Sequence, residues 1–140
     1  MTLKKPYLVL VEDDADDRFM MQQAFQDVHF ADHVQFFSSS DIFLTHISQI
    51  SKEANLPSLI VLDFNMPVIN GGELLLKLKK NERLKHIPVV LYSTGMRSIL
   101  KETLLASGAT ECFEKGMEYH ELLRLAKTLR LMAEGGTVVY

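Results

Sequence analysis

Short apolar runs alternate along the chain with longer segments in which apolar residues recur every three or four positions. The short runs cover residues 7–11, 34–37, 59–62, 89–92 and, more weakly, 111–113. Unbroken runs of aliphatic and β-branched residues are typical of strands that are buried on both faces of a parallel sheet. The pattern therefore predicts five strands of this kind.

The longer segments predict five helices, because their apolar residues fall on one helical face. The spaced residues are Met21, Ala24, Phe25 and Val28; Ile42, Phe43, Ile47 and Ile50; the leucine-rich residues 73–80; Ile99, Leu100, Leu104 and Leu105; and Leu122, Leu125, Ala126, Leu129 and Met132. Ser39 or Ser40 is expected to cap the second helix, and Gly108 is expected to end the fourth. Regular alternation of strand and helix predicts an α/β fold, a single doubly wound five-stranded parallel sheet with right-handed crossovers and helices on both faces.

Length and composition fit one domain. The chain has 140 residues, 47% of them hydrophobic and 24% charged, which is ordinary for a globular protein with its own core. We expect the core to span about residues 6–134, with 135–140 as a C-terminal tail. The net charge of -3 gives no basic surface for direct nucleic-acid binding.

The same features favour the cytoplasm. Cys112 is the single cysteine of the sequence, so it forms no intramolecular disulfide and fits a reducing compartment. The first apolar run, residues 7–11, is too short for a signal peptide, and no segment reaches the length of a membrane span. A cytoplasmic protein with no membrane contact is the expectation.

Polar and charged residues follow four of the predicted strands. They are Glu12, Asp13 and Asp14 after the first strand, Asp63 after the third, Ser93 after the fourth and Lys115 after the fifth. In open α/β sheets the ligand site lies at the carboxyl ends of the strands, so these side chains should meet at one edge. Clustered carboxylates need a cation, and Mg²⁺ prefers such oxygen ligands together with water and phosphate oxygens.

The neighbouring acids have a structural explanation as well. Asp16 and Asp17 fall in the first turn of the first helix, where an acid stabilises the helix by roughly 0.3–1 kcal/mol through the helix dipole. Asp14 is either a third metal ligand or the N-cap of that helix. Glu12 and Asp13 are the stronger candidates for ligands, because Asp63 is predicted to arrive beside them.

Asp63 is the strongest single candidate for a reactive residue, because a buried strand is predicted to hold its backbone and a turn with two glycines follows it. A carboxylate beside a metal can act as a nucleophile toward a phosphoryl group and form an acyl phosphate. Lys115 would neutralise phosphoryl oxygens and the Ser93 hydroxyl would hydrogen-bond one of them. Phosphoryl transfer depends mainly on such positioning and charge compensation.

These residues resemble the receiver domains of two-component response regulators, over nearly the whole chain. The motifs are the acidic pair in LVEDD, the segment LIVLDFNMPVINGGELL, the hydroxyl in PVVLYST and the lysine in ECFEKG, in receiver order and spacing. The resemblance implies that Glu12 and Asp13 are the acidic pair, that Asp63 is the phosphoacceptor and that Asn65 lends its backbone carbonyl to Mg²⁺. It further implies that Ser93 is the switch hydroxyl and Lys115 the phosphate-binding lysine. The VEDDADDR opening is most similar to small stand-alone receivers that pair with bacteriophytochrome-type kinases.

Two positions depart from the receiver pattern. Receivers usually have a proline after the lysine, with a cis peptide, where this chain has Gly116. A cis bond before a residue other than proline costs roughly 2.5–4 kcal/mol, so this peptide should be trans or strained. Receivers often have an aromatic residue at the position of Cys112, and Phe113 should point to the opposite face of the strand.

By resemblance, the partners are a sensor histidine kinase or phosphotransfer protein and a downstream protein target, and the chain is not an enzyme. Its contact surface would be the face of the fourth helix, fifth strand and fifth helix, and homodimer formation stays open. Two alternatives remain. One is a receiver-fold interaction module that takes no phosphate. The other is an Mg²⁺-dependent phosphatase of the haloacid-dehalogenase type, which needs a general acid where this chain has Asn65.

Overall fold

A computed structural model describes residues 5–116 and 118–136, and within them five parallel strands form one sheet. The strands are Leu8–Val11 (β1), Val34–Phe37 (β2), Leu59–Asp63 (β3), Val89–Ser93 (β4) and Glu111–Glu114 (β5), in the order β2-β1-β3-β4-β5. The helices are Ala15–Asp27 (α1), Ser40–Ser48 (α2), Gly71–Lys80 (α3), Ser98–Ala106 (α4) and Tyr119–Ala133 (α5). The predicted doubly wound α/β fold is confirmed.

Three helices begin at caps that use short polar side chains. Asp14 caps α1 by accepting a hydrogen bond from the Asp17 amide, and Ser39 caps α2 by accepting one from the Ile42 amide. Asn70 and Glu73 form a reciprocal capping box at the start of α3. Such caps satisfy amide groups that the first helical turn leaves without partners.

The sheet separates two layers of buried side chains. Alternate strand residues point to opposite faces, so each strand contributes to both layers. One layer packs against α1 and α5 and includes Leu10, Phe25, Val61, Tyr92, Ala126 and Leu129. The other packs against α2, α3 and α4 and includes Val11, Phe43, Leu62, Leu74, Leu91, Leu104 and Cys112. The predicted apolar faces of α1, α3 and α5 are thus largely used in the core. The predicted face of α4 is not, because Leu104 is buried but Ile99 and Leu105 are 79% and 38% exposed, and in α2 the predicted Ile42 is 53% exposed.

The apolar stripe of α5 illustrates this use. Leu122, Leu125, Ala126 and Leu129 are all buried against the sheet. These residues therefore leave little apolar area on α5 for a partner. The large hydrophobic side chain that α5 does expose is Leu131, which is 42% exposed.

The end of β3 requires a glycine in the segment that follows it. A Cβ atom at Gly71 would lie 2.6 Å from the carbonyl oxygen of Asp63 and 2.8 Å from the Cα of Phe64. The Gly71 amide donates a hydrogen bond to the Phe64 carbonyl. The start of α3 therefore presses directly on the backbone that carries Asp63.

Among the described residues, no helix has both the length and the apolar character needed to cross a bilayer. The C-terminal tail predicted for residues 135–140 is described only at Gly135 and Gly136, and residues 137–140 lie outside the described residues.

Candidate functional site

The carboxyl ends of β1 and β3 bring three predicted metal ligands together. Carboxylate oxygens of Glu12, Asp13 and Asp63 all lie within 4.8 Å of one another. Glu12 and Asp63 are buried at 0% and 4% exposure, whereas Asp13 is exposed. Two buried carboxylates and one at the surface thus form a group that opens to solvent on one side.

Lys115 brings positive charge to this group from the end of β5. Its Nζ lies 2.8 Å from Glu12 Oε1, 2.9 Å from Asp17 Oδ2 and 3.9 Å from Asp63 Oδ2. The ammonium also lies over the Tyr92 ring, 4.7 Å from its centroid, a favourable cation–π arrangement. In this state Lys115 is therefore bound most closely by Glu12 and Asp17.

Two further residues hold Glu12, and neither was among the predicted site residues. The buried Tyr92 hydroxyl donates a 2.7 Å hydrogen bond to Glu12 Oε1. The Arg18 guanidinium donates to the backbone carbonyls of Glu12 and Asp13, at 2.8 Å and 3.0 Å. Tyr92 fixes the carboxylate and Arg18 fixes the loop that carries it.

Ser93 and Asn65 are joined on the other side of Asp63. The Asn65 side-chain amide donates a 2.9 Å hydrogen bond to Ser93 Oγ, and the Asn65 backbone amide donates to Asp63 Oδ1 at 3.1 Å. The Gly95 amide also donates to Ser93 Oγ, at 3.3 Å. The buried Ser93 hydroxyl is therefore linked to the Asp63 carboxylate through Asn65, which is itself exposed.

Crowding of charge changes the acidity of the two buried carboxyl groups in opposite directions. Burial raises the pKa of Asp63 to about 8, and the hydrogen bond and charge of Glu12 add to the rise. The pKa of Glu12 is lowered: burial opposes this, but hydrogen bonds with Asp63, Lys115 and Tyr92 outweigh it. Two adjacent carboxyl groups cannot easily both be ionised, and the raised pKa of Asp63 makes it the group that ionises less readily.

The other acids that follow β1, which are Asp14, Asp16 and Asp17, lie at the start of α1. Asp14 is the N-cap of α1, which decides between the two roles left open for it. Asp16 and Asp17 lie in the first turn of α1, as predicted. The ion pair of Asp17 with Lys115 was missed, because the sequence pattern does not show which first-turn acid faces β5.

The structure shows the local geometry at the two positions that depart from the receiver pattern, Gly116 and Cys112. Lys5–Pro6 is the one cis peptide within residues 5–116 and 118–136, so the Lys115–Gly116 peptide is trans. A Cβ at Gly116 would lie 2.4 Å from the Cβ of Glu121, so a larger residue there would displace the first turn of α5. Cys112 and Phe113 pack on opposite faces of the sheet, as predicted.

The family model described as "Response regulator receiver domain" matches residues 8–127. The chain belongs to the response regulator receiver domain family. Receiver domains are parts of two-component signalling systems, and the matching relatives include response regulators and a histidine kinase of which this chain covers only 6%.

Relatives and solved structures agree with this family. The two-component response regulator ORR5 of Oryza sativa subsp. japonica is 29% identical over 120 residues, which cover 86% of this chain and 85% of that protein. The phosphorylated cyanobacterial phytochrome response regulator RcpA has a TM-score of 0.79 and 25% identity, with 96% of this chain and 98% of that chain covered. The Mn²⁺-bound form of response regulator Rcp1 has a TM-score of 0.76 at 23% identity, with coverage of 96% and 100%.

Proposed function

We propose that this chain is a phosphoacceptor response regulator of a two-component phosphorelay, formed by one receiver domain that works in the cytoplasm. A sensor histidine kinase or phosphotransfer protein gives its phosphoryl group to Asp63 in a reaction that requires Mg²⁺. The phosphorylated form then presents a changed surface to a downstream protein.

The observation that supports this proposal most directly is the convergence of four strand ends on Asp63. Glu12, Asp13 and Asp63 have carboxylate oxygens within 4.8 Å of one another, and Lys115 Nζ lies 3.9 Å from Asp63 Oδ2. Ser93 reaches the same place through Asn65. A nucleophile, an ammonium and a hydroxyl are the parts that phosphoryl transfer to a carboxylate requires.

The transfer itself is a displacement at phosphorus. A carboxylate oxygen of Asp63 forms the new P–O bond while the P–N bond to the donor histidine breaks, and the imidazole nitrogen keeps the electron pair. Lys115 stays within reach of the phosphoryl oxygens and compensates their charge. The Ser93 hydroxyl, which accepts from Asn65, donates its own hydrogen to one of them.

The donor set fits a hard divalent cation. Glu12, Asp13 and Asp63 would hold Mg²⁺ with carboxylate oxygens, and the Asn65 backbone carbonyl would complete the protein ligands by resemblance to the family. When bound, the cation supplies positive charge to the carboxylates and phosphoryl oxygens. The grouping of three carboxylates with oxygens within 4.8 Å of one another is the local feature that supports binding of a cation here.

The competing functions lack supporting contacts. A phosphatase of the haloacid-dehalogenase type needs a general acid at Asn65, and that side chain is an amide that donates to Ser93. A module that takes no phosphate has no use for Lys115 buried beside Glu12 and Asp63. The related RcpA is described as phosphorylated, which favours the same chemistry here.

Labelling with a small phosphodonor tests the proposal. The wild-type protein should gain the mass of one phosphoryl group from acetyl phosphate when Mg²⁺ is present, and should gain none when EDTA is added beforehand. Asp63→Asn should gain none, whereas Asp41→Asn, an exposed aspartate in the first turn of α2, should be labelled normally. Labelling of Asp63→Asn would refute the assignment. A phosphotransfer screen against histidine kinases would then identify the donor.

A further inference from the structure

Lys115 is paired with Asp17, an acid that was not among the predicted site residues. Asp17 lies in the first turn of α1, one turn away from the strand ends, and its Oδ2 is 2.9 Å from Lys115 Nζ. Asp63 Oδ2 is 3.9 Å from the same ammonium. The lysine that should serve a phosphoryl group on Asp63 is therefore paired with a residue outside the phosphorylation chemistry.

The two close partners of Lys115 hold it unequally. Glu12 is fully buried, accepts from Tyr92 and faces the proposed cation site. The Asp17 side chain is 43% exposed, so water can take over its hydrogen bond. If Lys115 moves, the contact with Asp17 is the one that can be given up.

A phosphoryl group bound to Asp63 would attract the ammonium toward itself. The Lys115 side chain is only 10% exposed and lies over the Tyr92 ring, so it has few alternative positions. The Asp17 carboxylate lies outside the group formed by the Glu12, Asp13 and Asp63 oxygens, which are within 4.8 Å of one another. A shift of the ammonium into that group therefore lengthens its 2.9 Å contact with Asp17. The energy of the Asp17–Lys115 pair therefore opposes engagement of the phosphoryl group.

We propose that Asp17 is a positioning residue that restrains Lys115 in the unphosphorylated state and thereby limits how readily Asp63 accepts and retains a phosphoryl group. This inference rests on the proposed function. It links the first turn of α1 to the phosphorylation state through a single ion pair.

Asp16 provides a matched control for Asp17. Both are aspartates in the first turn of α1, so replacement by asparagine removes the same charge and the same helix-dipole contribution. Asp16 is exposed, and the acids within ion-pair distance of Lys115 are Glu12, Asp17 and Asp63. A difference between the two variants isolates the contact with the lysine.

The test measures beryllofluoride binding in the presence of Mg²⁺ and labelling by acetyl phosphate. Asp17→Asn should bind beryllofluoride and be labelled about threefold more readily than the wild type, the size expected for a partly exposed ion pair. Asp16→Asn and the charge-retaining Asp17→Glu should stay near the wild type. Equal effects of Asp16→Asn and Asp17→Asn, no effect of Asp17→Asn, or weaker binding would each overturn the inference.

A spectroscopic measurement separates this inference from the proposed function. The ¹⁵N-detected ammonium signal of Lys115 should shift in Asp17→Asn and not in Asp16→Asn, with no phosphodonor present. Failure of the wild type to be labelled or to bind beryllofluoride would overturn both proposals. Normal labelling of the wild type together with an unchanged Lys115 signal in Asp17→Asn would overturn only the role of Asp17.

Discussion

The Tyr92 hydroxyl donates a 2.7 Å hydrogen bond to Glu12 Oε1 across the sheet, from β4 to the end of β1. Burial first, and the charge of Glu12 next, raise the pKa of Tyr92 well above its usual value. The phenol therefore remains a hydrogen-bond donor to Glu12 at all ordinary pH values.

Tyr92→Phe should lower both stability and Mg²⁺ affinity. Loss of a buried hydrogen bond to a charged group costs about 1.5 kcal/mol or more, and Glu12 would be held less firmly as a ligand. Urea unfolding and Mg²⁺ titration measure the two effects. Tyr119→Phe is the control, since its hydroxyl donates to the exposed Asp27, and it should leave Mg²⁺ affinity unchanged. Equal Mg²⁺ affinity in Tyr92→Phe and the wild type would contradict the role given to this hydrogen bond.

The raised pKa of Asp63 predicts that metal-free stability falls with increasing pH. The folded protein keeps a proton that the unfolded chain releases between the ordinary value of 3.8 and about 8. This contribution is fully present below the lower value and is lost as the pH rises through the upper one. Unfolding free energies measured across this window should decline for the wild type and decline less for Asp63→Asn, and identical slopes would argue against the shift.

Mg²⁺ binding should show the opposite dependence on pH. The cation and the proton compete for the Glu12–Asp63 pair, whose Asp63 pKa is raised by burial to about 8. Apparent affinity should therefore rise with pH across the same window, by at most about tenfold per pH unit for one displaced proton. Titrations at several pH values test this, and an affinity independent of pH between 5 and about 8 would contradict it.

Asp13→Ala should stabilise the metal-free protein at neutral pH. Partial burial, followed by the charge of Glu12, raises the pKa of Asp13, so its ionised form is disfavoured by folding. The contact with Arg18 uses the Asp13 carbonyl and survives truncation of the side chain. Chemical unfolding in EDTA measures the change. Destabilisation by more than about 1 kcal/mol would require a structural role for this carboxylate.

Phosphorylation should move the backbone of residues 93–97 without turning an aromatic ring. Ser93 Oγ accepts a hydrogen bond from the Asn65 amide, so its own hydrogen can turn toward a phosphoryl oxygen and draw the strand end with it. A side chain at Gly95 would meet no atom within 4 Å, so this segment has room to change. Tyr92 is buried and bonded to Glu12, while Cys112 is too small to replace a ring. Structures determined with and without beryllofluoride would test this prediction. An unchanged backbone at residues 93–97 together with a reoriented Phe113 or Tyr92 side chain would refute it.

The sequence was sufficient for the fold and for which strand ends meet. Apolar runs and spaced apolar faces report burial directly, and the carboxyl ends of parallel strands share one edge, so Glu12, Asp63 and Lys115 could be expected together. The Ser39 cap and the end of α4 before Gly108 also depend on local chemistry alone. Such features need no knowledge of the distances between elements.

The missed contacts all depend on how elements are rotated against one another. The pair Asp17–Lys115 requires the rotation of α1 relative to β5, and Tyr92 reaches Glu12 past the intervening β3. The close contact between Gly116 and the Glu121 side chain depends on how near the first turn of α5 lies to the loop that precedes it. Sequence periodicity gives the face of an element but not its orientation toward a particular neighbour.

The alternation of side chains along the strands divides the surroundings of Asp63 into two compartments. Glu12, Tyr92, Lys115 and Asp17 belong to the α1–α5 compartment, whereas Ser93 lies on the side of α2, α3 and α4, with Cys112 in its core. A spectroscopic probe on α1 would thus report on the contacts of Lys115, and a probe on α4 would report on the contacts of Ser93. A variant such as Asp17→Asn should alter signals in the first compartment and leave the Ser93–Asn65 contact of the second in place.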